Sequence, residues 1–302
     1  MNKATMLLSA TIALALSAGA AQAITVDGTA EVAYGVAASV QTTQTNFGDA
    51  GMGVVDYANG SEIDGVYGRV DGGVLYLTIT GNLESNFNKL EIFINSRAGG
   101  ENRLLGTNSN QGGFLRMADD GSGNGLTFDA GFGADYWISP TGGGGPYAMY
   151  VDYVEIGTGT GYYLGQGQAG GVGGGALVGG NGPSGGSYGV LATINNRNTG
   201  GVGNGCGAQS GAGVITGVEV GIPLSAIGNP TGCIDVTAFV NGGSHDFLSN
   251  QVAGPLDPGT CNLGEPRAVN FSQHPGNQYV SICDGATPTR SKTWGSVKTL
   301  YR

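Results

Sequence analysis

Apolar and polar positions alternate with a period of two along several stretches of this chain, the pattern of half-buried strands. Leu75, Leu77 and Ile79 alternate with Val74, Tyr76 and Thr78. Leu90, Ile92 and Ile94 alternate with Lys89, Glu91 and Asn95, with Phe93 the exception. The same rhythm recurs at Phe128, Ala130, Phe132, Ala134 and Tyr136, at Val218, Val220 and Ile222, and at Ile234, Val236, Ala238 and Val240. Each stretch should bury one face and wet the other, the habit of antiparallel sheets. Asp71-Gly72-Gly73 reads as a tight hairpin turn between two strands. No stretch combines helical periodicity with caps. The pattern predicts an all-β fold, a two-sheet antiparallel β-sandwich of the jelly-roll or carbohydrate-binding-module kind, as one domain over residues 24–289.

Composition narrows this further. Glycine supplies 61 of 302 residues, charged residues make up 11% and hydrophobic residues 40%. Charge-driven disorder needs the opposite balance, collagen needs glycine at every third position, and glycine costs about 1 kcal/mol per interior helix position. Residues 157–213 are the glycine-rich extreme: 23 of these 57 residues are glycine and only Arg197 is charged. With one strand-like run at residues 188–194, the segment reads as a long solvated insertion, or else as a flat surface laid against another chain or polymer.

Residues 1–23 have the form of a secretory signal peptide: Lys3, a short apolar core, and Ala21-Gln22-Ala23 as cleavage site. No later segment is apolar enough to cross a membrane as a helix, so a secreted or cell-surface protein is expected. Loss of Lys3 takes the net charge from −10 to −11, which argues against nucleic acid as a partner. The end, residues 290–302, reverses this with Arg290, Lys292, Lys298, Arg302 and no acid. It reads as a basic docking tail or a closing strand. Export with an even cysteine count predicts two disulfides among Cys206, Cys233, Cys261 and Cys283. Locality favours Cys206–Cys233 with Cys261–Cys283, each closing a short loop.

Candidate chemistry is sparse. Gly165-Gln166-Gly167-Gln168-Ala169-Gly170 fits G-x-G-x-x-G and Gly182-Pro183-Ser184-Gly185-Gly186 fits G-x-S-x-G, but both need a strand-to-helix context that is missing. A Ser-His-Asp site would have to use His245 or His274, and His245-Asp246 follows a strand in a glycine loop. Asp119, Asp120 and Asn124 form an oxygen-rich turn of the type that holds Ca²⁺ in extracellular β-proteins, the one cofactor to consider; Asx turns account for the same residues. Tyr147, Tyr150, Tyr153, Tyr162 and Tyr163 concentrate beside the glycine-rich segment. They could form an aromatic platform for a polysaccharide or cell-surface polymer, or stitch cross-strand pairs.

Several blocks carry a resemblance: Ile24-Thr25-Val26-Asp27-Gly28-Thr29-Ala30, Asn86-Phe87-Asn88-Lys89-Leu90-Glu91-Ile92-Phe93, Phe128-Asp129-Ala130-Gly131-Phe132, Phe247-Leu248-Ser249-Asn250-Gln251 and Gly276-Asn277-Gln278-Tyr279. In these the chain resembles exported bacterial proteins of uncharacterised role, related to those sorted by a Pro-Glu-Pro signal. The layout is also similar to family 9 carbohydrate-binding modules and DOMON-like β-sandwiches, through Val26-Asp27-Gly28 and Val220-Gly221-Ile222-Pro223-Leu224. The tryptophan clamp of those modules has no counterpart, so no binding residues transfer. The expectation is a non-catalytic interaction or structural module, with polysaccharide binding as the alternative and a hydrolase using His245 as a third reading.

Overall fold

A computed structural model of the chain describes residues 23–48, 60–168 and 188–283. The signal segment, the basic tail, the G-x-S-x-G match and the middle of the glycine-rich segment lie outside the described residues. Two antiparallel sheets pack face to face. Their strands are β1 Ser39–Val40, β2 Glu62–Asp71, β3 Val74–Asn82, β4 Asn86–Asn95, β5 Tyr136–Gly143, β6 Ala148–Glu155, β7 Thr160–Gln168, β8 Leu191–Ile194, β9 Gly217–Pro223, β10 Ile234–Asn241, β11 Leu248–Val252 and β12 Val280–Ile282. The first sheet runs β1-β2-β3-β9-β8 and the second β11-β10-β4-β5-β6-β7, with β12 also on β10. Among the described residues every helix is a short 3₁₀ turn.

The hairpin forms where the turn chemistry places it. Asp71 pairs with Val74, and Gly72 and Gly73 have φ of 56° and 80°, the double left-handed turn that only glycine adopts without strain. Leu75, Leu77, Ile79, Leu90, Ile92, Ile94, Val236, Ala238 and Val240 then meet between the sheets.

The alternation is misleading in two places. Phe93, Trp137 and Phe239 point out of the second sheet, yet they are fully buried. A layer of loops and 3₁₀ turns covers that outer face, bringing Leu104, Phe114, Phe128, Phe132 and Phe271 into a second core. Phe93 stands 4.9 Å from Phe128 and 5.8 Å from Phe239 between ring centroids. Where this layer lies over them, at Phe93, Trp137 and Phe239, the strands bury both faces, and the wet face expected there is absent. Residues 128–134 belong to this cover and form no strand. Phe132 N–H closes a turn onto the Asp129 carbonyl (3.1 Å), and Gly131 has φ 93°, so the buried rings of Phe128 and Phe132, four residues apart, arise there without a ladder.

The described parts of the glycine-rich segment include β7 and β8, and within residues 198–211 the Val202 N–H donates to Asp64 on β2 (2.7 Å). The disulfides are Cys206–Cys261 and Cys233–Cys283, which corrects the local pairing. Strand pairing decides the second bond: Ile234 faces Ile282 across β10 and β12, so their neighbours Cys233 and Cys283 come together despite a separation of 50 residues. The bonds fit an oxidising compartment. Among the described residues no helix is long and apolar enough to cross a membrane.

Candidate functional site

The loop layer stops short of covering the outer face of the second sheet. Its edge is an arch at residues 109–113. Gly112 and Gly113 have φ of 61° and 96°, and the backbone comes so close to the sheet that a side chain on Gly112 would meet the Asp152 carboxyl, 2.7 Å from its Cβ. Two polar links pin the arch. Gln111 Nε2 donates to Asp152 Oδ1 (2.7 Å), and His245 Nε2 contacts the Gly112 carbonyl oxygen (2.8 Å).

His245 is 3% exposed and sits at φ 57° in the loop after β10. Its other nitrogen, Nδ1, lies 2.7 Å from Glu91 Oε1. Glu91 is wholly buried and also accepts from Trp137 Nε1 (2.8 Å) and Asn241 Nδ2 (3.3 Å). A carbonyl and a carboxylate can only accept, so both ring nitrogens must carry hydrogen for both bonds to exist. The ring is then an imidazolium paired with a carboxylate. Burial opposes the charge on each partner, but their mutual attraction outweighs it: the His245 pKa is raised and that of Glu91 is lowered. With both nitrogens engaged, His245 has no lone pair with which to take a proton from a nucleophile. It is a rivet between loop, sheet and arch.

Beyond the arch the sheet presents a polar floor with aromatic walls. Lys89 faces Thr141 across β4 and β5, and Thr141 faces Tyr150 across β5 and β6. Asp152 faces Ser139 on one side and Tyr163 on the other. Burial lowers the Lys89 pKa and raises that of Asp152. The hydroxyls of Ser139 and Thr141 are buried with no hydrogen-bond partner among the described residues. Tyr163 is 42% exposed and Phe87 48%. The Phe87 ring lies over Gly143, which leaves it room, and 6.1 Å from the Tyr150 ring. Tyr163 Oη donates to Gln166 Oε1 (3.0 Å).

The five tyrosines therefore do not make one face. Tyr147 and Tyr153 are inside the inter-sheet core, where their hydroxyls donate to the carbonyls of Leu83 (2.9 Å) and Ala226 (3.0 Å). Tyr162 packs against the same core. Only Tyr150 and Tyr163 reach the outer patch, joined by Phe87, Lys89, Gln111 and Asp152, which the sequence reading did not single out.

The acidic turn lies elsewhere and closes on itself. Asp119 Oδ1 accepts from the N–H groups of Gly121 (2.8 Å) and Gly123 (3.0 Å), while Oδ2 accepts from Arg103 (3.0 Å). Asp120 Oδ1 accepts from Ser122 N–H (3.2 Å), and Asn124 Oδ1 from Asp120 N–H (3.1 Å). Asx-turn bonds and an arginine engage the oxygens that a cation would need. The glycines of the G-x-G-x-x-G match that are described, Gly165 and Gly167, pair within the β6–β7 ladder. Comparisons with protein-family models, curated proteins and solved structures find no match.

Proposed function

We propose that this chain is a non-catalytic binding module, exported to the cell surface or medium, whose outer sheet face takes a polysaccharide or another surface polymer. One observation carries the reading: exposed rings at Phe87 and Tyr163, with Tyr150 beside them, border a floor of Lys89, Asp152 and Gln111 on a rigid sheet. Sugar rings have apolar faces and a rim of hydroxyls, so a site for them pairs aromatic faces with a few fixed donors and acceptors. The engaged state of His245 supports binding over hydrolysis, because the histidine best placed for acid–base work already makes two bonds.

A panel of insoluble polysaccharides and a glycan array test this. Retention of the wild-type protein is expected on at least one polymer, with a loss of about tenfold in affinity on Tyr163→Ala and again on Phe87→Ala. Tyr150 is half-buried and is better replaced by Leu. Retention unchanged by either alanine variant, or no retention on any polymer, contradicts the proposal.

A further inference from the structure

Two carboxyl groups stand on β2 of the opposite sheet, Glu62 at 4% exposure and Asp64 at 0%. No ion pair reaches either of them among the described residues. Uncompensated buried charge is costly, so a buried acid without a cation calls for a proton.

The hydrogen bonds tell the two acids apart. Asp64 has a donor on each oxygen, Val202 N–H on Oδ1 (2.7 Å) and Asn198 Nδ2 on Oδ2 (2.7 Å). Glu62 Oε1 accepts from Asn82 Nδ2 (3.1 Å) and Asn198 Nδ2 (3.2 Å), but its Oε2 is buried with no partner among the described residues. Asn82 faces Glu62 across β2 and β3, and its Oδ1 is likewise buried and unpartnered. The Asn82 amide is not free to turn over, because Nδ2 also donates to the Asn198 carbonyl (3.3 Å), which an oxygen there would repel. Two acceptors are thus left over on two groups that already share one bond. A hydrogen on Oε2 satisfies both and closes acid and amide into a ring of two hydrogen bonds.

The surroundings suit an uncharged acid. Glu62 and Asn82 border a small cavity of about 10 Å³ whose other walls include Ile79, Leu83, Leu90, Val218 and Val240, contributed by β3 and the residue after it, β4, β9 and β10. Among the described residues Asp64 is the one charge that acts on Glu62. Glu84 turns its carboxylate to Ser61, Asn86 and Asn88, and Arg197 is exposed and forms no ion pair. Burial, with the neighbouring Asp64 adding to it, pushes the Glu62 carboxyl above the ordinary carboxylate range.

We propose that Glu62 is a neutral carboxylic acid in the folded protein, its Oε2–H donated to Asn82 Oδ1, and that loss of this proton opens a strap formed by residues 197–205. Just before the strap, Asn196 is bonded to the Leu83 backbone through both Oδ1 (3.0 Å) and Nδ2 (2.9 Å). Just after it, Cys206 is joined to Cys261. Between these anchors Asn198 and Val202 hold the two acids. Ionised Glu62 would set a second buried charge beside Asp64 and turn the Oε2–Oδ1 contact repulsive, and water relieves it only if the strap lifts. The disulfide keeps a lifted strap attached. An acid that gains its proton on burial favours the closed form most at low pH and loses that contribution as pH rises above the ordinary carboxylate range. The strap is therefore closed in acid and opens toward alkali.

Two measurements on the whole mature protein test this. Carbon-13 NMR of the side-chain carboxyls at about pH 7, where an ordinary glutamate is ionised, should show Glu62, assigned through its bonds, as the neutral acid. An ionised Glu62, whether bridged to Asn82 by water or beside a protonated Asp64, overturns the proposal. Arg197 is the one charged residue between positions 157 and 213, so tryptic cleavage after it, identified by mass, reports opening. Corrected for the rate on a free peptide, cleavage should rise between about pH 7 and pH 9, by at most about tenfold per unit, the limit for one proton. Glu62→Gln replaces the acid hydrogen with an amide hydrogen, keeps the ring and should leave cleavage flat. No rise in the wild type, or an equal rise in the variant, overturns the strap. The wild-type spectrum and pH profile decide the matter even if the variant does not fold.

Discussion

Truncating Glu91 to alanine is expected to cost about 3–5 kcal/mol of stability, a large part of the 5–15 kcal/mol typical of a domain. The change strands three groups at once: the His245 imidazolium, the Trp137 indole N–H and the Asn241 amide. His245 must then lose its proton or lose its burial, and a neutral ring has one N–H where two bonds were made. Glu91→Gln keeps the shape and should cost less. Denaturant titration of both variants measures this, and a Glu91→Ala loss within about 1 kcal/mol would contradict the rivet.

The pH dependence follows with a definite sign. The folded pKa of His245 is raised, so its contribution is complete below the unfolded value near 6.5 and fades as pH rises through the folded value. The folded pKa of Glu91 is lowered, so its contribution is present above about 4.5 and lost as pH falls through the folded value. Glu62 and Asp64, raised by burial, lower stability as pH climbs above the ordinary carboxylate range. The difference between wild type and Glu91→Ala isolates the rivet from that background.

The disulfides carry the second large effect. They close 55 and 50 residues, and the loop-entropy relation gives each about 4 kcal/mol. Paired alanine replacement at Cys233 and Cys283 should release β12 from β10, and replacement at Cys206 and Cys261 should release residues 198–211 from the loop after β11. Thermal melts check the magnitudes. Peptide mapping of an unreduced digest checks the pairing, and a peptide joining Cys206 to Cys233 would contradict it.

Much of the fold was legible because strand parity is a local property. The runs in β3, β4, β9 and β10 alternate apart from Phe93 and Phe239, and the Gly72-Gly73 turn fixes a register by itself. Parity also held more than was drawn from it: Tyr162 and Tyr163 are neighbours on one strand and must face opposite ways, and Tyr150 is out of phase with Tyr147 and Tyr153. Phe93 and Phe239, apolar on the supposedly wet face, were the sign of a second core. The disulfide pairing and the Glu91–His245–Gly112 rivet were not legible. They join residues 50, 154 and 133 positions apart, and only the strand order brings those together. At Asp119 the sequence leaves two readings open for a different reason, since the residues that ligate a cation are the same ones that cap their own backbone.

The protonation of His245 is where structure and function meet, because a ring held by two acceptors is a fastener and a ring with a free nitrogen is a base. Nitrogen-15 NMR of the imidazole at about pH 7.5, a unit above the unperturbed value, reads it directly. Two protonated, slowly exchanging ring nitrogens are expected, both lost together in Glu91→Ala. A neutral ring with an unprotonated Nε2 would remove the link to Gly112 and return His245 to the list of catalytic candidates.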